Sequence, residues 1–149
     1  MKKLLTVAAA SLLLLAGCSS AGPAPTEPAP RDDSQEAPAA PLDLTGEWKQ
    51  TNSNAEDAYQ TATITTDTIS IDWVNEADSS TSIYWAGTYA APTGSADSYT
   101  WDSTNDKSVT DTALLASGDD TKTFTYEGGV LSYDVTAMGT TQTVELERQ

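Results

Sequence analysis

Between Thr68 and Trp73 the chain alternates: Ile69, Ile71 and Trp73 fall on one parity, Ser70 and Asp72 on the other. Period-two alternation marks a half-buried β-strand. It recurs along the chain. Ile83, Trp85, Gly87 and Tyr89 share a parity, and Tyr99 and Trp101 alternate with Thr100 and Asp102. Phe124 and Tyr126 alternate with Thr123 and Thr125, Leu131, Tyr133 and Val135 with Ser132, Asp134 and Thr136, and Val144 and Leu146 with Thr143, Glu145 and Glu147. Turn-forming residues divide these runs at Thr66-Asp67, Pro92-Thr93-Gly94, Asn105-Asp106, Gly118-Asp119-Asp120, Gly128-Gly129 and Met138-Gly139. The pattern predicts about eight strands: 45–51, 59–66, 68–74, 82–90, 98–104, 112–117, 121–127 with 130–137 (one strand or two), and 141–148. Segments 52–57 and 75–81 read as polar loops. Beyond the first apolar run, no helix longer than a turn is predicted.

The fold class that follows is all-β, an antiparallel meander of about eight short strands, each with one apolar face. Closure into a small barrel is preferred over a two-sheet sandwich because it removes sheet edges. In an even-stranded meander the first and last strands run antiparallel. That sets Gly46-Glu47-Trp48 beside Leu146-Glu147-Arg148, with Gly46, Trp48 and Arg148 as the closure residues and the Arg148 guanidinium on the Trp48 indole.

The N-terminus has a different pattern. Met1-Lys2-Lys3 is a positive start, and Leu4 to Ala16 is apolar apart from Thr6 and Ser11. These 13 residues are too few for a transmembrane helix, which needs about 20, and they match the core of a secretory signal. The run ends in Leu15-Ala16-Gly17-Cys18, which resembles the lipobox of bacterial lipoproteins. The resemblance implies cleavage after residue 17 and diacylglycerol on the Cys18 thiol. Two or more acyl chains give stable residence on a membrane without spanning it. Ser19 after the cysteine resembles the signal for passage to an outer membrane in a two-membrane host; in a one-membrane host the protein sits on the outer face.

From Ser19 to Pro41 the chain holds six of its seven prolines and no aromatic residue, so it cannot bury enough apolar surface to order itself. It reads as an extended spacer reaching at most roughly 70 Å at about 3.1 Å per residue. The expected organisation is a signal peptide at 1–17, the lipidated cysteine and spacer at 18–41, and one β domain at 42–149, which contains all eleven aromatics.

Composition narrows the partners. The chain carries 22 acidic and 7 basic residues, a net charge of −15, with no histidine and a single cysteine. Removing Lys2 and Lys3 with the signal leaves five bases against 22 acids, or −17. Nucleic acid and anionic headgroups repel such a chain, and the same charge favours a soluble monomer.

Gly46-Glu47-Trp48 at the start of the first strand and Arg148 at the end of the last resemble the G-x-W opening of lipocalin-type barrels, whose tryptophan packs beneath an arginine. The domain is also similar to small lipoproteins of Gram-positive bacteria and their prophages in Ile83-Tyr84-Trp85-Ala86-Gly87-Thr88 and Ala113-Leu114-Leu115-Ala116-Ser117. Both resemblances imply location and binding more than activity.

Without histidine, and with the cysteine acylated, Cys/His zinc sites and histidine-based nucleophilic centres are excluded. No Ser-x-x-Lys and no phosphate loop is present. The aspartates of 102–106 and 118–120 are the best oxygen donors for calcium, but turn chemistry explains them better. No catalytic residue, cofactor or metal is therefore assigned. Trp73, Trp85 and Trp101 share the core parity; Tyr84 lies on the opposite parity and is the candidate exposed contact. The expected function is a non-catalytic, membrane-anchored binding domain for a small apolar ligand or an envelope protein. The alternatives are a phage or envelope interaction module, such as one for superinfection exclusion, and a carboxylate-dependent hydrolase.

Overall fold

A computed structural model describes residues 40–149. The expected signal peptide 1–17, the expected lipidation site Cys18 and the expected spacer up to residue 39 lie outside the described residues. The strands are β1 Gly46–Gln50, β2 Ala58–Ile64, β3 Thr68–Asn75, β4 Ser80–Thr88, β5 Ser98–Thr104, β6 Thr121–Glu127, β7 Val130–Ala137 and β8 Thr140–Arg148; one short helix, α1, spans Lys107–Thr110. All strands join one antiparallel sheet in the order β4-β3-β2-β1-β8-β7-β6-β5, nearly closed into a barrel.

The first and last strands pair, with Trp48 opposite Arg148 and Lys49 opposite Glu147. The incomplete seam lies elsewhere, between β4 and β5, where a single bridge joins Gly87 to Asn105. Gly87 permits this approach: a Cβ there would collide with the Ser103 hydroxyl and the Thr104 carbonyl and stand 2.8 Å from Trp85 Nε1.

Register defines two poles. The proximal pole holds the start of β1, the end of β8 and the connection 89–97 between β4 and β5. Here Leu44 is fully buried beneath the barrel, its carbonyl accepting from Trp48 Nε1 at 3.1 Å. The distal pole holds the loop 51–57, the turn 76–79, the long loop 105–120 and the β7–β8 turn.

The interior is filled by aromatic rings. Tyr99 stacks on Trp101, Trp101 on Phe124, Phe124 packs on Tyr133, Tyr133 stacks on Tyr84, and Tyr84 meets Trp73 edge-on, with centroids 5.1–6.2 Å apart. Trp48, Trp85 and Phe124 are the largest fully enclosed side chains. Each such ring contributes about 1.5–3 kcal/mol through burial.

Two expectations need correction. Residues 112–117 are not a strand. After Asp106 caps α1 through Ser108 N–H, the chain turns twice, with Ala113 N–H donating to Thr110 and Ala116 N–H to Ala113. The eight strands result instead from β6 and β7 being separate. Tyr84 is not exposed: only 6% of it is accessible. Ile71 pairs with Trp85 but Asp72 pairs with Ile83, so Tyr84 is the extra residue of a β-bulge. A bulge turns two consecutive side chains to one face, and Tyr84 joins Trp85 inside.

Candidate functional surface at the distal pole

Each element carries its polar residues in a way that can be followed from sequence parity. Lys122 has the parity of Phe124 and therefore points inward; it is only 7% exposed. Its ammonium donates to Asp119 Oδ2 at 3.1 Å and to the Asp134 carbonyl at 3.1 Å. It also lies 5.3 Å from the Tyr84 ring and 5.5 Å from the Trp85 ring. The Ser117 hydroxyl and then Lys122 hold the Asp119 carboxyl below its usual range.

Lys122 sits where the sheet parts. β6 and β7 pair only over Thr125–Glu127 and Val130–Ser132. Beyond that a groove of about 370 Å³ opens, with Lys122 and Tyr133 in its lining and threonines 121, 123 and 136 beside them. The lysine bridges the groove from β6 to the β7 backbone, taking the place of ladder hydrogen bonds.

A second buried polar pair is Gln60 and Tyr133. The Tyr133 hydroxyl donates to Gln60 Oε1, while Gln60 Nε2 has no partner. Burial, reinforced by the neighbouring Tyr84 hydroxyl, pushes the Tyr133 phenol well above its ordinary value, so it stays a neutral donor.

The residues proposed for barrel closure meet at the proximal pole. The Arg148 guanidinium stands 5.1 Å from the Trp48 ring and donates to the Asp43 carbonyl; Gly46 has φ of 127°. The carboxylates weighed for calcium are dispersed in structural bonds. Asp102 accepts from Thr123, Asp106 caps α1, Asp119 pairs with Lys122 and Asp120 with Lys107. Among the described residues no group of three or more acidic, histidine or cysteine side chains is placed to hold a metal ion.

The distal pole differs in one respect. Leu114 is 98% exposed, Leu115 54%, and Met138 fully exposed. All three belong to loops of this pole. Reading 112–117 as a strand hides the two leucines. Alternation alone does not find them: Ala113-Leu114-Leu115-Ala116 is four apolar residues in a row, but the true strand β4 also holds Ile83-Tyr84-Trp85-Ala86 unbroken. Lys122 and Gln60 are not among the residues singled out from the sequence above; the signal that finds them is parity, as each lies in phase with buried neighbours.

What this arrangement offers chemically is recognition. The interior is packed with aromatic rings, its polar groups are bonded except for Gln60 Nε2 and Trp101 Nε1, and the large exposed apolar side chains, Leu114, Leu115 and Met138, lie in loops of one pole. No family model, no curated protein and no solved structure matches the chain.

Proposed function

We propose that the protein is a lipid-anchored, extracytoplasmic lipoprotein whose β domain binds an envelope protein through its surface and performs no catalysis. The lipobox Leu15-Ala16-Gly17-Cys18 supports the anchor. The observation that carries the binding mode is the aromatic column. Rings from the partly buried Tyr99 to the partly buried Trp73 pack in succession at 5.1–6.2 Å spacing, so a small apolar ligand would have to displace Phe124 and Tyr133, which are fully and almost fully buried. Recognition therefore falls to the outside. The membrane is engaged through the acyl chains alone, since the cleaved chain, with five bases against 22 acids, is repelled by anionic headgroups.

The test has two arms. Cys18→Ala, in cells labelled with fatty acid, is expected to lose the label and leave the membrane fraction; label retained on the variant rejects the anchor. An environment-sensitive apolar dye titrated into the folded protein is expected to show no saturable enhancement. Stoichiometric, saturable binding would restore the interior-ligand reading.

A further inference from the structure

We infer that Leu114 and Leu115 form the contact point of the domain for a protein partner, one offering an apolar socket rimmed by lysine or arginine. The inference rests on the binding reading above and names its surface. Two unfavourable choices coincide at this place. The Ala116 N–H donates to the Ala113 carbonyl at 3.3 Å, so the leucines are the two central residues of a four-residue turn. Central turn positions favour Gly, Pro, Asn, Asp and Ser, each for a backbone reason that leucine lacks. Leucine is also among the residues most often found fully buried. Neither preference is met here. A local choice that opposes both the backbone and the solvent is expected where function selects it.

The exposure is not looseness. The loop is closed at its base by Asn105 N–H donating to Asp120 at 3.0 Å and Asn105 Nδ2 donating to Asp119 at 2.7 Å. Thr110 Oγ1 donates to Asn105 Oδ1 at 2.6 Å. Two bonds pin the loop along the β4 edge, Asp106 N–H to Ala86 and Ser117 N–H to Tyr84, both at 2.8 Å. A contact presented on a braced loop loses little conformational freedom on binding.

Charge selects the occupant. Residues 105–120 carry Asp106, Asp111, Asp119 and Asp120 against Lys107; Lys107 pairs with Asp120 at 3.3 Å and Lys122 with Asp119 at 3.1 Å, which leaves the charges of Asp106 and Asp111 in excess. An acidic collar around an apolar knob complements a basic rim around an apolar socket. A lipid surface fits poorly, because anionic headgroups repel the collar and the chain enters the domain at the opposite pole, at Leu44. A second copy fits poorly as well, because it would set two acidic collars face to face.

The experiment is site-specific photo-crosslinking of the full chain in its own membrane. The photoreactive residue p-benzoylphenylalanine replaces Leu114 or Leu115 at the distal pole, Thr93 at the proximal pole, or Thr100 on the barrel wall. The expected result is a protein adduct from positions 114 and 115 at least about tenfold above that from 93 and 100, a margin corresponding to a distinct binding site. Mass spectrometry of the adduct from position 115 is expected to map to an apolar segment flanked by lysine or arginine. With the crosslinker at 115, Leu114→Ser is expected to cut the yield several-fold, and Asp111→Asn with Asp120→Asn to do the same. Because Leu114 is solvent-exposed, Leu114→Ser is expected to keep the melting temperature, which separates lost contact from lost fold. An adduct with lipid, with a second copy, or with a partner segment lacking basic residues overturns the inference. Adducts from 93 or 100 alone also overturn it but leave a binding domain with another contact face. No adduct at any of the four positions removes both the inference and the binding reading.

Discussion

The Arg148 guanidinium lies over the Trp48 ring, 5.1 Å from its centre, directly across the β1–β8 pair. The same two side chains hold the entering chain: Trp48 Nε1 donates to the Leu44 carbonyl and Arg148 to the Asp43 carbonyl. The last strand, the first strand and the segment leading into the domain thus meet at one cation–π contact. Such a contact contributes about 0.5–2 kcal/mol depending on desolvation. Arg148→Ala and Trp48→Phe are each expected to destabilise the fold. Combined, they should cost less than the sum, because both remove the same contact. A denaturant double-mutant cycle checks this, and strict additivity would reject the coupling.

Lys122 and Asp119 form an asymmetric ion pair, one partner enclosed and the other largely in solvent. Removing the exposed partner strands a buried ammonium, whereas removing the buried one takes the desolvated charge away. Asp119→Ala is therefore expected to cost about 1–2 kcal/mol, less than a fully buried pair would, and Lys122→Met to be closer to neutral. The pH dependence follows from the lowered Asp119 pKa, caused first by the Ser117 hydroxyl and then by Lys122. The contribution of the carboxylate is present above its ordinary value of 3.8 and disappears as pH falls through the lower folded value. Wild type and Asp119→Asn are expected to differ in thermal stability at neutral pH and to converge in acid. A constant difference down to pH 2 would reject this account.

At the seam, Gly87 faces Ser103 and Thr104 with no room for a methyl group. Gly87→Ala is expected to destabilise by about 1–3 kcal/mol through overpacking, and to loosen the contact between β4 and β5 first. Hydrogen exchange at the Asp106 amide, which donates to Ala86 across the seam, reports this directly. Unchanged protection at that amide would show that the seam tolerates a side chain.

Gln60 and Tyr133 are a buried pair that is costly to break and cheap to delete. Tyr133→Phe or Gln60→Leu alone leaves one buried polar group without its partner and is expected to cost about 1–3 kcal/mol. The double change removes both groups and is expected to recover most of that loss. The raised Tyr133 pKa adds a pH signature. Its stabilising effect is complete below the unfolded tyrosine value near 10 and declines as pH rises above it. Alkaline unfolding is expected to shift upward in Tyr133→Phe combined with Gln60→Leu, as followed by circular dichroism.

Much of the fold was legible because strand formation is a local matter. Alternation at Ile69-Ile71-Trp73 or Leu131-Tyr133-Val135 requires only that one face of a pleated strand be buried, and turn residues mark where the strands stop. The antiparallel pairing of β1 with β8 follows from two things together, the even number of strands in a meander and closure of the sheet to remove its edges. Even Lys122 and Gln60 declare themselves by parity, although what neutralises or bonds them does not.

Other features depend on which chain lies alongside, and no local pattern encodes that. Tyr84 is inside because the register between β3 and β4 shifts after Ile71, which turns Tyr84 and Trp85 to the same face and reverses the phase of the strand before them, so that Ile83 stands opposite Asp72 rather than on the face of Trp85. The seam falls between β4 and β5 because the loop 105–120 lies along the β4 edge and bonds to Tyr84 and Ala86 there. That same placement makes a turn of Ala113-Leu114-Leu115-Ala116, apolar residues that read locally as a strand. By itself the sequence determined the all-β class and the parity of most of the core, and it carries the lipobox-like run ending at Cys18 on which the proposed anchor rests. Register, the bulge and the exposed leucines were decided by tertiary structure, since they rest on contacts between residues far apart in the chain.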